Sequence, residues 1–210
     1  KLPINAVKFA QNRGLGKTLN DGLNYCRNEW VFRMDTDDIC VPERFEKQVA
    51  FIEANPDVII FGGQIAEFGQ NIQDIVAYRN VPTDLQNIRK FARLRCPFNH
   101  MTVAYQKSKV IECGGYQGLQ EDYTLWIKMI ATGLKVANLP DMLVYARVGN
   151  GMVGRRRGWN QFAYEWTLYR LKNRCHIHDP ISGFPIFLMR AIPRILPLAL
   201  LKKVYQLLRK

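Results

Sequence analysis

Three carboxylates stand within four residues, Asp35, Asp37 and Asp38, and a second acidic pair, Glu121–Asp122, follows later in the chain. Clustered carboxylates repel one another unless a cation or a set of donors neutralises them. Hard oxygen ligands suit Mg2+ or Mn2+, and Mg2+ takes one or two protein carboxylates while substrate phosphates complete its shell. The alternative is a solvated turn whose aspartate caps the helix entered at Pro42. Glu121–Asp122 also has two readings. The pair either complements a helix dipole, or sits at the edge of a site reached through the glycine-rich run Cys113–Gln120, where one carboxylate serves as general base. Arg13 and Lys17, at the start of the first helix, could meet an anionic ligand together with its backbone amides, or form a solvated face.

The elements that must position these groups alternate. Ile4–Phe9 reads as a strand. Leu15, Leu19, Leu23 and Cys26 give a helix over 15–27, and Glu29–Met34 is a buried strand running straight into the aspartates. Phe45, Val49 and Ile52 give the next helix its buried face, up to the stop at Asn55-Pro56. Val58–Phe61 is a strand ended by Gly62-Gly63. Strand–helix alternation implies a parallel α/β sheet, and such sheets bind ligands beyond the C-terminal ends of their strands. Further on, Asp84–Arg95 reads as helix, Met101–Tyr105 as strand and Ser108–Cys113 as a short helix. Glu121–Thr132 is a helix stopped by Gly133. Lys135–Leu139 and Leu143–Val148 are two strands, Gly149–Gly158 a loop, and Trp159–Arg174 a helix.

The charge is unevenly placed. Of a net +12 over 210 residues, residues 1–150 carry +2 and residues 151–210 carry +10, with Glu165 and Asp179 the acidic residues of the second part. A nucleic-acid domain would spread its basic stripe over the folded body, so a near-neutral body with a basic attachment is expected and a nucleic-acid partner is not. The five cysteines are scattered, without a Cys-x-x-Cys pair, which fits a reducing compartment and argues against zinc or a disulfide framework.

Asn12-Arg13-Gly14-Leu15, Asn20, the run Glu29-Trp30-Val31-Phe32-Arg33-Met34-Asp35-Thr36-Asp37-Asp38, Pro42–Gln48, Cys113–Tyr116 and Gln120–Trp126 follow in an order and spacing that resemble a family 2 glycosyltransferase of the GT-A fold. The resemblance covers roughly residues 4–150. It implies a three-layer α/β/α, Rossmann-like nucleotide-diphospho-sugar transferase domain with a mostly parallel, mixed sheet over 1–150, followed by a basic loop and helical extension over 151–210. It also implies a chain lacking about the first fifty residues of such an enzyme. Asp37, with Asp35 or Asp38, would hold Mn2+ or Mg2+ on the diphosphate of a sugar nucleotide, a UDP-sugar first among candidates. Asp122 would deprotonate an acceptor hydroxyl, which displaces the nucleoside diphosphate with inversion, and Glu121 would support it. His100 would lie near the acceptor cleft, or be a hydrogen-bonded structural residue. Arg155 and Arg156, with Arg157, would close over the diphosphate, or be a solvated run, or touch anionic lipid. The product expected is a hexose or N-acetylhexosamine added to a saccharide, lipid-linked in the bacterial relatives that build surface polysaccharides.

Residues 184–210 hold six basic and no acidic side chains among many Leu, Ile and Phe. Pro185, Pro193, Pro197, Arg190 and Arg194 argue against a membrane-spanning helix. An amphipathic segment lying on the inner face of the cell membrane is expected instead, its Arg and Lys reaching anionic headgroups, with packing on protein as the alternative. Two rival functions are another nucleotide-sugar enzyme, such as a nucleotidyltransferase, and a basic binding module without catalysis.

Overall fold

The computed structural model describes residues 4–118, 121–149 and 158–195. Its centre is a mixed six-stranded sheet of β1 (Trp30–Phe32), β2 (Ile39–Cys40), β3 (Val58–Phe68), β4 (Ile75–Arg79), β5 (Ala104–Gln106) and β6 (Lys135–Arg147). The order is β1-β5-β3-β6-β2, with β4 on the second half of β3. The long central pair β3/β6 is parallel, and the flanking ladders are antiparallel.

β3 does not stop at Gly62-Gly63 as the sequence suggested; it runs through both glycines to Phe68. The glycines are there for close approach. A Cβ on Gly62 would stand 2.9 Å from Asn138 Oδ1 and Thr102 Oγ1, and one on Gly63 would stand 2.5 Å from Leu143 Cδ1. Likewise the two strands expected over 135–148 are one strand, β6. Gly62 faces Asn138 and Gln64 faces Met142, so Leu139–Asp141 bulge out of register, which is where a strand can hold Pro140.

Helices α1 (Leu15–Leu23), α2 (Arg44–Ala54), α3 (Leu85–Ala92), α4 (Lys107–Glu112) and α5 (Glu121–Ala131) flank the sheet. The main core gathers Leu125, Trp126, Ile127, Met129 and Ile130 of α5 against Ile60, Phe98, Val103 and Tyr105. On the opposite face, Phe61 and Ala104 pack with Trp30, Phe32, Phe51 and Ile52. Three readings are corrected here. Ile4–Phe9 forms no strand; it has no ladder partner, and Ile4 is 91% exposed. In α2, Phe45 and Val49 face outward, and the buried positions are Arg44 and Gln48. Met101–Tyr105 is a 3-10 turn, His100–Thr102, followed by β5.

The last described elements are α6 (Trp159–Arg174) and α7 (Pro180–Ile195). Lys172 of α6 is buried and donates to the Tyr123 hydroxyl at 2.7 Å and to the Arg93 carbonyl at 2.9 Å, which seats α6 on α5. Burial holds the Lys172 ammonium well below its ordinary value. Arg190 and Arg194 do not point outward as expected. Arg190 donates to both oxygens of buried Glu165, at 2.7 and 3.0 Å, and Arg194 to one of them at 3.0 Å. A buried carboxylate needs such partners, and it turns the basic face of α7 inward. Ile181, Phe184, Met189, Ile192 and Ile195 are left on the exposed face. No helix among the described residues is long and apolar enough to cross a membrane.

Candidate active site

The aspartates lie where β1 ends. Arg33 continues its pairing, with its N–H on the Val103 carbonyl at 2.9 Å, and the chain then turns through Asp35–Asp38 into β2. The turn is propped from below by Arg44, fully buried, which donates to the Arg33 carbonyl at 2.6 Å and to Gln48 Oε1 at 2.9 Å. From the side, Arg147 clamps it: its N–H donates to Asp38 Oδ1 at 2.8 Å and its Nε to the Asp37 carbonyl at 3.3 Å. The guanidinium of Arg147 rests over the Phe68 ring, 4.6 Å from its centroid.

The three aspartates are thereby made unequal. Asp35 takes an ion pair from Arg33 Nη2 at 2.5 Å. Asp37 is exposed. Asp38 is half-buried, its Oδ2 has no partner among the described residues, and burial pushes its carboxyl above the ordinary range. No group of three His, Cys, Asp or Glu side chains among the described residues forms a metal cage. What is present is an exposed carboxylate beside an orphaned carboxylate oxygen. That donor set fits a hard divalent cation sharing its shell with a diphosphate.

Glu121 and Asp122 form the first turn of α5. Burial pushes both carboxyls up; the nearby charge of Arg33 opposes the shift at each, and Arg79 opposes it at Asp122. Cys96 Sγ lies 4.0 Å from Asp122 Oδ2. Below them, His100 stands edge-on to Trp126 and tilted to Tyr116, with centroids 6.0 and 5.7 Å apart. Burial, reinforced by the charge of Arg33, pushes His100 down to about 3, so the ring is neutral near pH 7. Helix α1 closes the side: Gly16 packs against Glu121, where a Cβ would lie 3.2 Å from the Glu121 side chain.

Arg33 pairs with Asp35, and its charge is felt at Asp38, His100, Glu121 and Asp122. Arg13 is committed elsewhere, to an ion pair with Asp21, and Lys17 is exposed on α1. Arg155 and Arg156 lie outside the described residues. Sequence reasoning passed over Arg33, Arg79 and the clamp by Arg147. For Arg33 a signal existed: a cation between Phe32 and Met34 at the end of an apolar strand, two residues before an aspartate.

Residues 1–119 match the family described as "Glycosyl transferase family 2". An uncharacterized glycosyltransferase of Haemophilus influenzae is 68% identical over 98% of this chain and 77% of its own length. The amylovoran biosynthesis glycosyltransferase AmsE of Erwinia amylovora is 43% identical, over 100% of this chain and 79% of its own. The Escherichia coli UDP-Gal:alpha-D-GlcNAc-diphosphoundecaprenol beta-1,3-galactosyltransferase is 34% identical, over 92% and 70%. Among solved structures, Staphylococcus aureus TarS 1-349 with UDP-GlcNAc superposes with a TM-score of 0.57 at 18% identity, over 86% of this chain and 52% of that one. The mannosyltransferase PcManGT of Pyrobaculum calidifontis, with GDP-Man and Mn2+, gives 0.53 at 17%, over 96% and 61%. The chain spans about half to three-fifths of these solved chains, and the likeness to them is one of fold, the GT-A fold expected. By the family match over more than half its length and by relatives of 34% to 68% identity, this chain belongs to glycosyl transferase family 2.

Proposed function

We propose that the protein transfers a hexose or N-acetylhexosamine from a nucleoside-diphosphate sugar, a UDP-sugar first among candidates, to a saccharide hydroxyl, with inversion. The observation that supports this reading is that Arg33, paired with Asp35 of the aspartate turn, is close enough for its charge to act on Glu121 and Asp122 of α5, so both carboxylate groups lie near one side chain. Asp37 and Asp38 would hold Mn2+ or Mg2+, since Asp35 is already engaged by Arg33. When bound, that ion would offset the negative charge that develops on the departing diphosphate. The carboxylate of Asp122, its proton affinity raised by burial, takes the acceptor proton, and Glu121 supports it. Neutral His100, packed on the buried Tyr116 and Trp126 rings, would stand on the acceptor side.

A lipid-linked acceptor is the second part of the proposal. The E. coli relative is named for an acceptor on diphosphoundecaprenol. Here, the outward apolar face of α7 and the basic sequence that follows it suit docking on the inner face of the cell membrane. In this reading residues 1–150 are the catalytic domain, and 151–210 the part that brings it to lipid.

The test is transfer from UDP-sugars with Mn2+ by the wild-type protein and two variants. Asp122→Asn should lower turnover by about 10³-fold while leaving donor affinity unchanged. Asp37→Ala should remove the Mn2+-dependent part of donor affinity. Undiminished turnover in Asp122→Asn removes the base assignment; Mn2+-independent donor affinity in the wild type removes the metal.

A further inference from the structure

Arg33 is 6% exposed, yet only part of its donor capacity is used. Nη2 is spent on Asp35, while Nε and Nη1 are buried and have no partner among the described residues. An unmet buried guanidinium N–H costs free energy unless something arrives to accept it. The side chain sits at the aspartate turn, where it pairs with Asp35, and its charge is also felt at Asp38, Glu121 and Asp122. Its backbone is held separately, by the Val103 carbonyl and by Arg44, so the turn has supports besides this side chain.

We propose that Arg33 is a specificity-determining residue, whose Nε–H and Nη1–H donate to hydroxyl oxygens of the sugar being transferred. This rests on the glycosyltransferase reading above and adds to it the group that reads the donor sugar. Charge decides between a sugar and a phosphate as its partner. Asp35 already offsets the guanidinium, so the pair is close to neutral and its remaining donors suit neutral acceptors, whereas the diphosphate has the metal-holding carboxylates to meet it. Two directed donors discriminate well. A hydroxyl of the wrong configuration leaves them buried and unmet, a larger penalty than the loss of one attractive contact.

The experiment uses the wild-type protein and two variants, Arg33→Lys and Arg33→Gln. Affinities are measured by calorimetry with Mn2+ for UDP, GDP, UDP-glucose, UDP-galactose, UDP-GlcNAc and GDP-mannose. In the wild type, one sugar nucleotide should bind more tightly than its bare nucleotide and than its epimer. In Arg33→Lys, where Asp35 stays engaged, affinity for the bare nucleotide should stay within about twofold, while in both variants the preference for the sugar should shrink by roughly tenfold to a hundredfold. Arg33→Lys keeps a cation opposite Asp35, and equal melting temperatures would show that the fold is kept. Variants that retain the sugar preference overturn the proposal. Variants that lose bare-nucleotide affinity in equal measure overturn it too, by assigning Arg33 to the diphosphate. A wild type that binds no nucleotide at all overturns instead the glycosyltransferase reading beneath it.

Discussion

Asn20 holds the backbone of Tyr116 from both sides: its Nδ2 donates to the Tyr116 carbonyl at 2.8 Å, and its Oδ1 accepts from the Tyr116 N–H at 2.9 Å. A side-chain amide here does what a neighbouring strand would do, and it ties α1 to the loop that leads into α5. The preceding residue must be glycine on two counts. Gly115 has φ +65°, and a Cβ there would stand 2.5 Å from Asn20 Oδ1.

Asn20→Ala should therefore cost about 1–3 kcal/mol of stability, by leaving a half-buried N–H and C=O unmet. The Tyr116 ring, which packs on His100 and Trp126, would lose its fixed height. Denaturant titration measures the first effect. A KM for the acceptor that rises while donor affinity holds would register the second, and an unchanged KM would show that the loop is held by other contacts.

The pH dependence of transfer should carry the mark of Asp122. Burial raises its pKa, so on acidification the base takes up its proton earlier than a solvent-exposed aspartate would. The acid limb of kcat/KM should lie above the ordinary aspartate range. Arg79 works against that shift, so Arg79→Gln should move the limb to still higher pH. A limb that moves to lower pH, or not at all, contradicts the assignment of Asp122 as base.

Stability should respond to acid through His100. Its folded-state value is about 3 against an ordinary 6.5, so below 6.5 the unfolded chain binds a proton that the folded chain refuses. The contribution is complete above pH 6.5 and is lost as pH falls toward 3. His100→Phe removes the titrating ring. The drop in melting temperature between pH 7.5 and pH 5 should be smaller in this variant than in the wild type; equal drops would mean that the ring is protonated in the folded protein.

For α7, the outward residues are the ones to change. Met189→Ser with Ile192→Ser leaves the Glu165 ion pairs intact and removes apolar surface from the exposed face. Flotation with vesicles of phosphatidylglycerol and phosphatidylethanolamine should fall several-fold while the melting temperature stays level. Undiminished flotation would exclude this face as the docking surface.

Much of the fold was legible because strands β1 and β3 and helix α5 are strongly apolar and carry clear stops. The aspartate turn and the α5 pair were legible from residue type and position. What could not be read off was how distant segments cap one another. Gly62-Gly63 looks like a strand end until Asn138, Thr102 and Leu143 are seen pressing on it. Phe45 and Val49 look like a core face until Arg44, held by Gln48 and the Arg33 carbonyl, is found beneath the turn. Asp35 and Asp38 are alike in sequence and differ because Arg33, just past β1, reaches one and Arg147 of β6 reaches the other.

The inward turn of Arg190 and Arg194 makes α7 the counter-ion of Glu165 on α6, the helix that Lys172 seats on α5. Cutting the chain ahead of α7 would strand Glu165 as a bare charge in a nearly dry setting, and breaking such a contact by removing one side is worth about 3–5 kcal/mol. Through Lys172 and Tyr123 the disturbance would pass directly to the helix that carries Asp122. A shortened protein made to study the catalytic part in isolation would thus lose activity for a reason unrelated to lipid, and membrane attachment and catalysis in this chain must be separated by surface substitutions, not by truncation.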